Sequence, residues 1–162
     1  MTSISEALIE GKISESFSLI FCAFNTVLNL PDFDSITRCL RESREALSPS
    51  GRIVIEAFVP IPATDIPATS LSPARVASDA AVFIETTFDP ATSILEGRHI
   101  EVRVDEITVR PWSIIICSPV QLDHAAKLAG LVLVERWSDW QSSEFTTNST
   151  AHISIYTSNT AK

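Results

Sequence analysis

Glycine is scarce: the 162 residues contain only Gly11, Gly51, Gly97 and Gly130, and the closest pair, Gly97 and Gly130, lie 33 positions apart. No glycine-rich loop of the kind that lets a backbone approach a nucleotide can be built from them. Basic runs are missing too. The formal net charge is -8, so the positive footprint that neutralises phosphates is absent and nucleic acid is not an expected partner. Apolar stretches such as Leu19 to Phe24 and Ile114 to Cys117 fall far short of the roughly 20 residues that span a bilayer. The opening Met-Thr-Ser-Ile-Ser-Glu-Ala has neither a basic n-region nor an apolar h-region. A soluble, cytoplasmic protein that avoids membranes is the expectation. Cys22, Cys39 and Cys117 are an odd number without CxxC spacing, which predicts reduced thiols packed as small hydrophobes. His99, His124 and His152 stand in separate segments with no paired spacing, so no metal site is expected. No serine occupies a G-x-S-x-G elbow.

What is present is a folding composition. Hydrophobic residues make up 45% and charged residues 20%, enough for one domain over residues 1–162 with a substantial core. A short amphipathic helix is expected before Gly11. Ser18 to Phe24 is apolar on both alternating faces, as in a covered parallel strand. Asp34 then caps a helix with the inner stripe Ile36, Cys39, Leu40, Ser43, Ala46 and Leu47, its other face carrying Arg38, Arg41, Glu42, Arg44 and Glu45. Ser48-Pro49-Ser50-Gly51 stops it, and Arg52 to Val59 gives a second strand, closing a right-handed crossover over 17–60. Residues 61–80 are rich in proline and read as a long loop. Segments 81–89, 94–104 and 106–117 predict an antiparallel meander. Ser118-Pro119 starts a helix that Gly130 ends, and Leu131 to Trp137 with His152 to Thr157 supply two closing strands over 118–158.

The run Phe17-Ser-Leu-Ile-Phe-Cys-Ala-Phe-Asn-Thr-Val-Leu-Asn-Leu30, followed by Ala46-Leu-Ser-Pro-Ser-Gly-Arg-Ile-Val-Ile-Glu56, resembles the fourth-strand, helix and fifth-strand block of class I S-adenosylmethionine (SAM)-dependent methyltransferases. Ser118 to Leu131 resembles that family's penultimate helix. Trp137 through Asn148-Ser-Thr-Ala-His-Ile-Ser-Ile-Tyr156 resembles its closing strands in a subgroup that modifies small molecules. The resemblance covers about residues 17–158. It implies an α/β fold, a truncated Rossmann-like methyltransferase sheet of strands four to seven with an inserted antiparallel β meander. The family's strand, GxGxG-type turn and acidic residue after the second strand find no counterpart here. SAM binding by this chain alone is therefore expected to be weak or absent.

By the resemblance, Phe24, Asn25 and Thr26 face the cofactor's methionine moiety or the substrate, where parallel strands end at the ligand crevice. The competing reading gives Asn25 only a turn hydrogen bond. Glu56 ends the fifth strand and is a candidate base, against a solvated strand-end carboxylate. His152 matches a position that the family often fills with histidine, and is a second catalytic candidate against a structural hydrogen bond. Trp112, Trp137, Trp140 and Phe145 offer an aromatic wall or ordinary sheet packing; Ser118 and Asp123 read as helix cap and helix surface. The function expected is a small-molecule SAM-dependent methyltransferase needing a complementary N-terminal portion. The alternatives are a non-catalytic, methyltransferase-like binding or dimerisation module, and a small α/β protein that holds an apolar metabolite. An uncharged strand edge at 18–24 predicts a partner, either that N-terminal portion or a second copy.

Overall fold

The computed structural model describes residues 16–159; the helix expected before Gly11 lies outside them. β1 (Phe17–Cys22) and β2 (Leu47–Phe58) pair in parallel, and α1 (Phe33–Glu45) crosses between them. Phe17 sits opposite Leu47 and Leu19 opposite Arg52, so residues 48–51 bulge out of the ladder. The Ser48–Gly51 stretch is thus an irregularity inside β2 and not a linker before it. The helix cap also differs from expectation. Asp32 is in extended conformation and its Oδ1 accepts the Ser35 N–H at 2.7 Å, while Asp34 already lies in the first helical turn, where its charge favours the helix dipole. Ile36, Leu40 and Ser43 face the core as the periodicity requires. Cys39, expected on that stripe and packed, is exposed, one position round the helix from the buried Leu40.

The first sheet has the order β1-β2-β8-β7, with β7 (Leu131–Trp137) and β8 (Ala151–Ser158) antiparallel to each other and β8 antiparallel to β2. α2 (Pro119–Leu128) precedes β7. Its start is a capping box, in which Ser118 Oγ accepts the Gln121 N–H and Gln121 Oε1 accepts the Ser118 N–H. Gly130 follows with φ +80°, the left-handed C′ position where glycine is favoured. Both helices cover one face of this sheet. Ile53, Ile55, Ala57 and Tyr156 are buried there in one cluster with Ile36, Leu40, Leu122 and Ala125; full burial of each large side chain contributes roughly 1.5–3 kcal/mol. The opposite face of the β1 side is bare, with Leu19 54% and Phe21 66% exposed.

The second sheet has the order β3-β4-β5-β6, formed by β3 (Thr69–Val76), β4 (Ala80–Asp89), β5 (Ile94–Arg103) and β6 (Ile107–Ile115), all antiparallel. The meander over 81–117 is as expected, but 61–80 is not one loop, since β3 adds a fourth strand. Proline concealed it. Pro73 stands on an edge strand, where the register slips between Pro73 and Arg75, and such a position tolerates a missing N–H. The two sheets meet where β6 packs on a 3-10 turn, Thr26–Asn29, and where Ile94, Ile114 and Ile115 join the core of the first sheet.

Candidate functional site

β1 and β2 end side by side, and the chain leaving β1 makes a tight turn there. Phe24 and Asn25 both have positive φ, 55° and 61°. That region disfavours side-chain-bearing residues by roughly 1–2 kcal/mol each, although asparagine tolerates it best. Local bonds hold the turn in place. The Asn25 N–H donates to the Glu56 carbonyl at 3.2 Å, the Phe58 N–H donates to Asn25 Oδ1 at 2.7 Å, and the Thr26 hydroxyl donates to the Ala23 carbonyl at 2.6 Å. The side chains of Asn25 and Thr26 are thus engaged in the turn itself. The Phe24 ring is left in solvent, 86% exposed.

Glu56 ties this turn to a distant loop. One carboxylate oxygen accepts the Phe24 N–H at 2.9 Å and the other accepts the Trp140 indole N–H at 3.1 Å. Two aromatic residues from opposite ends of the chain are thereby fixed around one carboxylate at the strand ends. The sequence showed Glu56 and Trp140 separately; a separation of 84 residues hides their pairing.

His152 is not part of this group. It pairs with Ala57 while Glu56 pairs with Ile153, so side-chain alternation puts His152 and Glu56 on opposite faces of the sheet. His152 is 1% exposed. Burial, and secondarily the Arg136 guanidinium, push its pKa down to about 4. Its Nδ1 lies 2.8 Å from Ser154 Oγ and its Nε2 has no partner among the described residues. Ser154 Oγ accepts from Arg136 Nε at 2.8 Å, Arg136 holds the Asp123 carboxylate through two nitrogens at 2.6 and 3.2 Å, and the Tyr156 hydroxyl donates to Asp123 at 2.7 Å. Asp123 is therefore not a surface residue of α2 but the anchor that fastens α2 to β7 and β8. Phe145 lies edge-on to His152 and under Arg136. The four aromatic candidates do not converge: Trp112 lies in the second sheet against Gly97, Trp137 belongs to β7, and Trp140 alone reaches Glu56.

Cys117 is buried, and desolvation raises its thiol pKa to about 11, which makes it a poor nucleophile at neutral pH. Among the described residues no group of three or more His, Cys, Asp or Glu is arranged to hold a metal ion.

No family model and no curated protein matches the sequence, but solved structures do. The chain is similar to the CcbJ methyltransferase from Streptomyces caelestis, with 29% identity and a TM-score of 0.82 over 89% of this chain and 61% of that one. A SAM-dependent methyltransferase from Clostridium acetobutylicum aligns over 90% of this chain and 60% of its own, with 9% identity and a TM-score of 0.76. The chain carries the class I SAM-dependent methyltransferase fold. CalS10 from Micromonospora echinaspora, an amino pentose methyltransferase, is also similar, with 15% identity and a TM-score of 0.58 over 88% of this chain and 59% of that one. The chain spans about three-fifths of the length of each of these methyltransferases.

The described residues fit only part of what a SAM site requires. A cradle needs bare backbone at the strand ends, and none of the three described glycines provides it. Gly51 faces the Phe17 carbonyl and the Leu47 side chain, Gly97 lies under the Trp112 ring, and Gly130 closes α2. The Phe24–Thr26 turn supplies no such cradle, since both of its positive-φ residues carry side chains.

Proposed function

We propose that this chain is part of a SAM-dependent methyltransferase of a small molecule and that it acts together with a segment carrying the glycine-rich turn, from a longer polypeptide or a partner chain. The observation that carries the reading is the strained Phe24–Asn25 turn held at the ends of two parallel strands by Glu56, within a methyltransferase fold. In this proposal Phe24, Asn25 and Thr26 form the crevice wall against the cofactor's methionine end, with the Phe24 ring making the contact and the other two setting its angle. Glu56 acts as a positioning residue, its two oxygens tying the Phe24 backbone to the Trp140 indole. His152 acts from behind by orienting Ser154 and Arg136. Methyl transfer asks mainly for alignment of donor and acceptor, so such positioning carries much of the rate.

Isothermal titration of the chain with SAM, alone and with a polypeptide supplying the glycine-rich turn and its strands, tests this. Absent or millimolar binding by the chain alone and recovery in the mixture are the expected results. Micromolar binding by the chain alone would overturn the need for a second segment, and no binding in the mixture would overturn the shared site.

Among the described residues β1 is an edge strand, which favours a second reading, a methyltransferase-like dimerisation module. Self-association without methyl transfer in that same mixture would select it.

A further inference from the structure

A cavity of about 460 Å³ opens between the starts of α1 and α2 and the turn joining β4 to β5, a size typical of small-molecule sites. It shares no lining residue with the Phe24–Glu56 turn. Its interior is apolar, formed by the Phe33 ring and by Ile94, Ile115 and Ile116, of which Ile115 and Ile116 are buried. Its walls are fixed. Ser93 is held at φ 58° and its carbonyl accepts the Ile116 N–H at 2.8 Å. Gln121 Oε1 accepts both the Ser118 N–H and its hydroxyl, which orients that amide at the cavity's edge.

The ionised side chains lining this cavity are of one sign, set beside the partial positive charge of two helix N-termini. Asp32 and Asp34 line it and are exposed, and no lysine, arginine or histidine is among its lining residues. Among the described residues neither carboxylate forms an ion pair. Nearby positive or titratable groups are Arg38, which bonds Ser35 and acts on Asp32 at a distance, His124, whose ring stacks on Phe33 with centroids 6.1 Å apart, and the lining thiol of Cys117, which burial keeps protonated. An apolar interior beside two carboxylates and an aromatic face is complementary to a cation on a hydrophobic body.

We propose that this cavity binds a small apolar amine, its ammonium against Asp32 and Asp34 and its body against Phe33, Ile94 and Ile115. The proposal is independent of whether the chain binds SAM. Phenethylamine, hydrocinnamate and phenethyl alcohol share a ring and differ in charge, so amide NMR titrations of the full chain at neutral pH with each will test it. Saturable shifts at Ser93, Ile116 and Gln121 are expected with the amine, with affinity about tenfold above that for the carboxylate. Asp32→Asn, which keeps an N-cap side chain, and Asp34→Asn are expected to weaken the amine and leave the alcohol unchanged. Phe24→Ala is expected to leave all three unchanged, which separates this site from the proposed cofactor crevice. No saturable shift at these amides, equal affinity for amine and carboxylate, or indifference to both asparagine variants would overturn the proposal.

Discussion

At the residue scale, two buried features make measurable demands. Gly97 lies so close to the Trp112 ring that any Cβ would collide with it. Gly97→Ala is expected to destabilise the fold by about 1–3 kcal/mol, seen as a lower denaturant midpoint with an unchanged slope. His152 has a folded pKa of about 4 against an ordinary 6.5. As pH falls below 6.5 the unfolded chain takes up the proton first, so stability is lost across the window from 6.5 down to about 4 and is fully present above it. The loss is on the order of 3 kcal/mol. Urea unfolding from pH 7 to 4 is expected to show a steeper decline for the wild type than for His152→Gln, and parallel curves would mean that His152 is not buried and neutral. Asn25 and Glu56 were visible in the sequence as strand-end residues. Their use as fasteners of the Phe24 turn was not, because it depends on strands that pair across a 32-residue gap.

At the element scale, the strand-helix-strand unit was legible from hydrophobic periodicity and a stop signal, since both are local properties of the chain. Its cap was misplaced by two residues because Asp32 and Asp34 are chemically the same, and only the extended backbone at Asp32 distinguishes them. Asp32→Ala is therefore expected to cost about 1 kcal/mol, and Asp34→Ala a few tenths through the helix dipole, as read from paired thermal melts. β3 was illegible for a different reason. Its proline argues against a central strand, and nothing local reveals that the strand sits on an edge with a slipped register.

At the scale of the whole molecule, the two sheets differ in how they are held. The first is backed by both helices, whereas the second joins it mainly through β6 and the Thr26–Asn29 turn. Hydrogen exchange is expected to report higher protection in β2 and β8 than in β3 and β4, whose opening exposes less core. β1 is an edge strand among the described residues and exposes Leu19 and Phe21 on its open face, a surface prone to strand or face pairing. Light scattering after size-exclusion chromatography is expected to show association that Phe21→Lys reduces. A monodisperse wild-type monomer at high concentration would remove the case for a covering chain.

Composition and periodicity by themselves determined the strand-helix-strand unit over 17–60, the helix and strands over 118–158 and the antiparallel meander between them, and the sequence spaces its glycines too far apart for a glycine-rich turn. Each of these follows from residue types and short-range spacing. Tertiary structure alone decided that Glu56 joins Phe24 to Trp140, that His152 faces away from them, and that Asp123 anchors a helix instead of decorating it. It also decided that an acidic, apolar cavity forms between two helix starts. Those are contacts between distant segments, fixed by strand register and by which face of a sheet is covered.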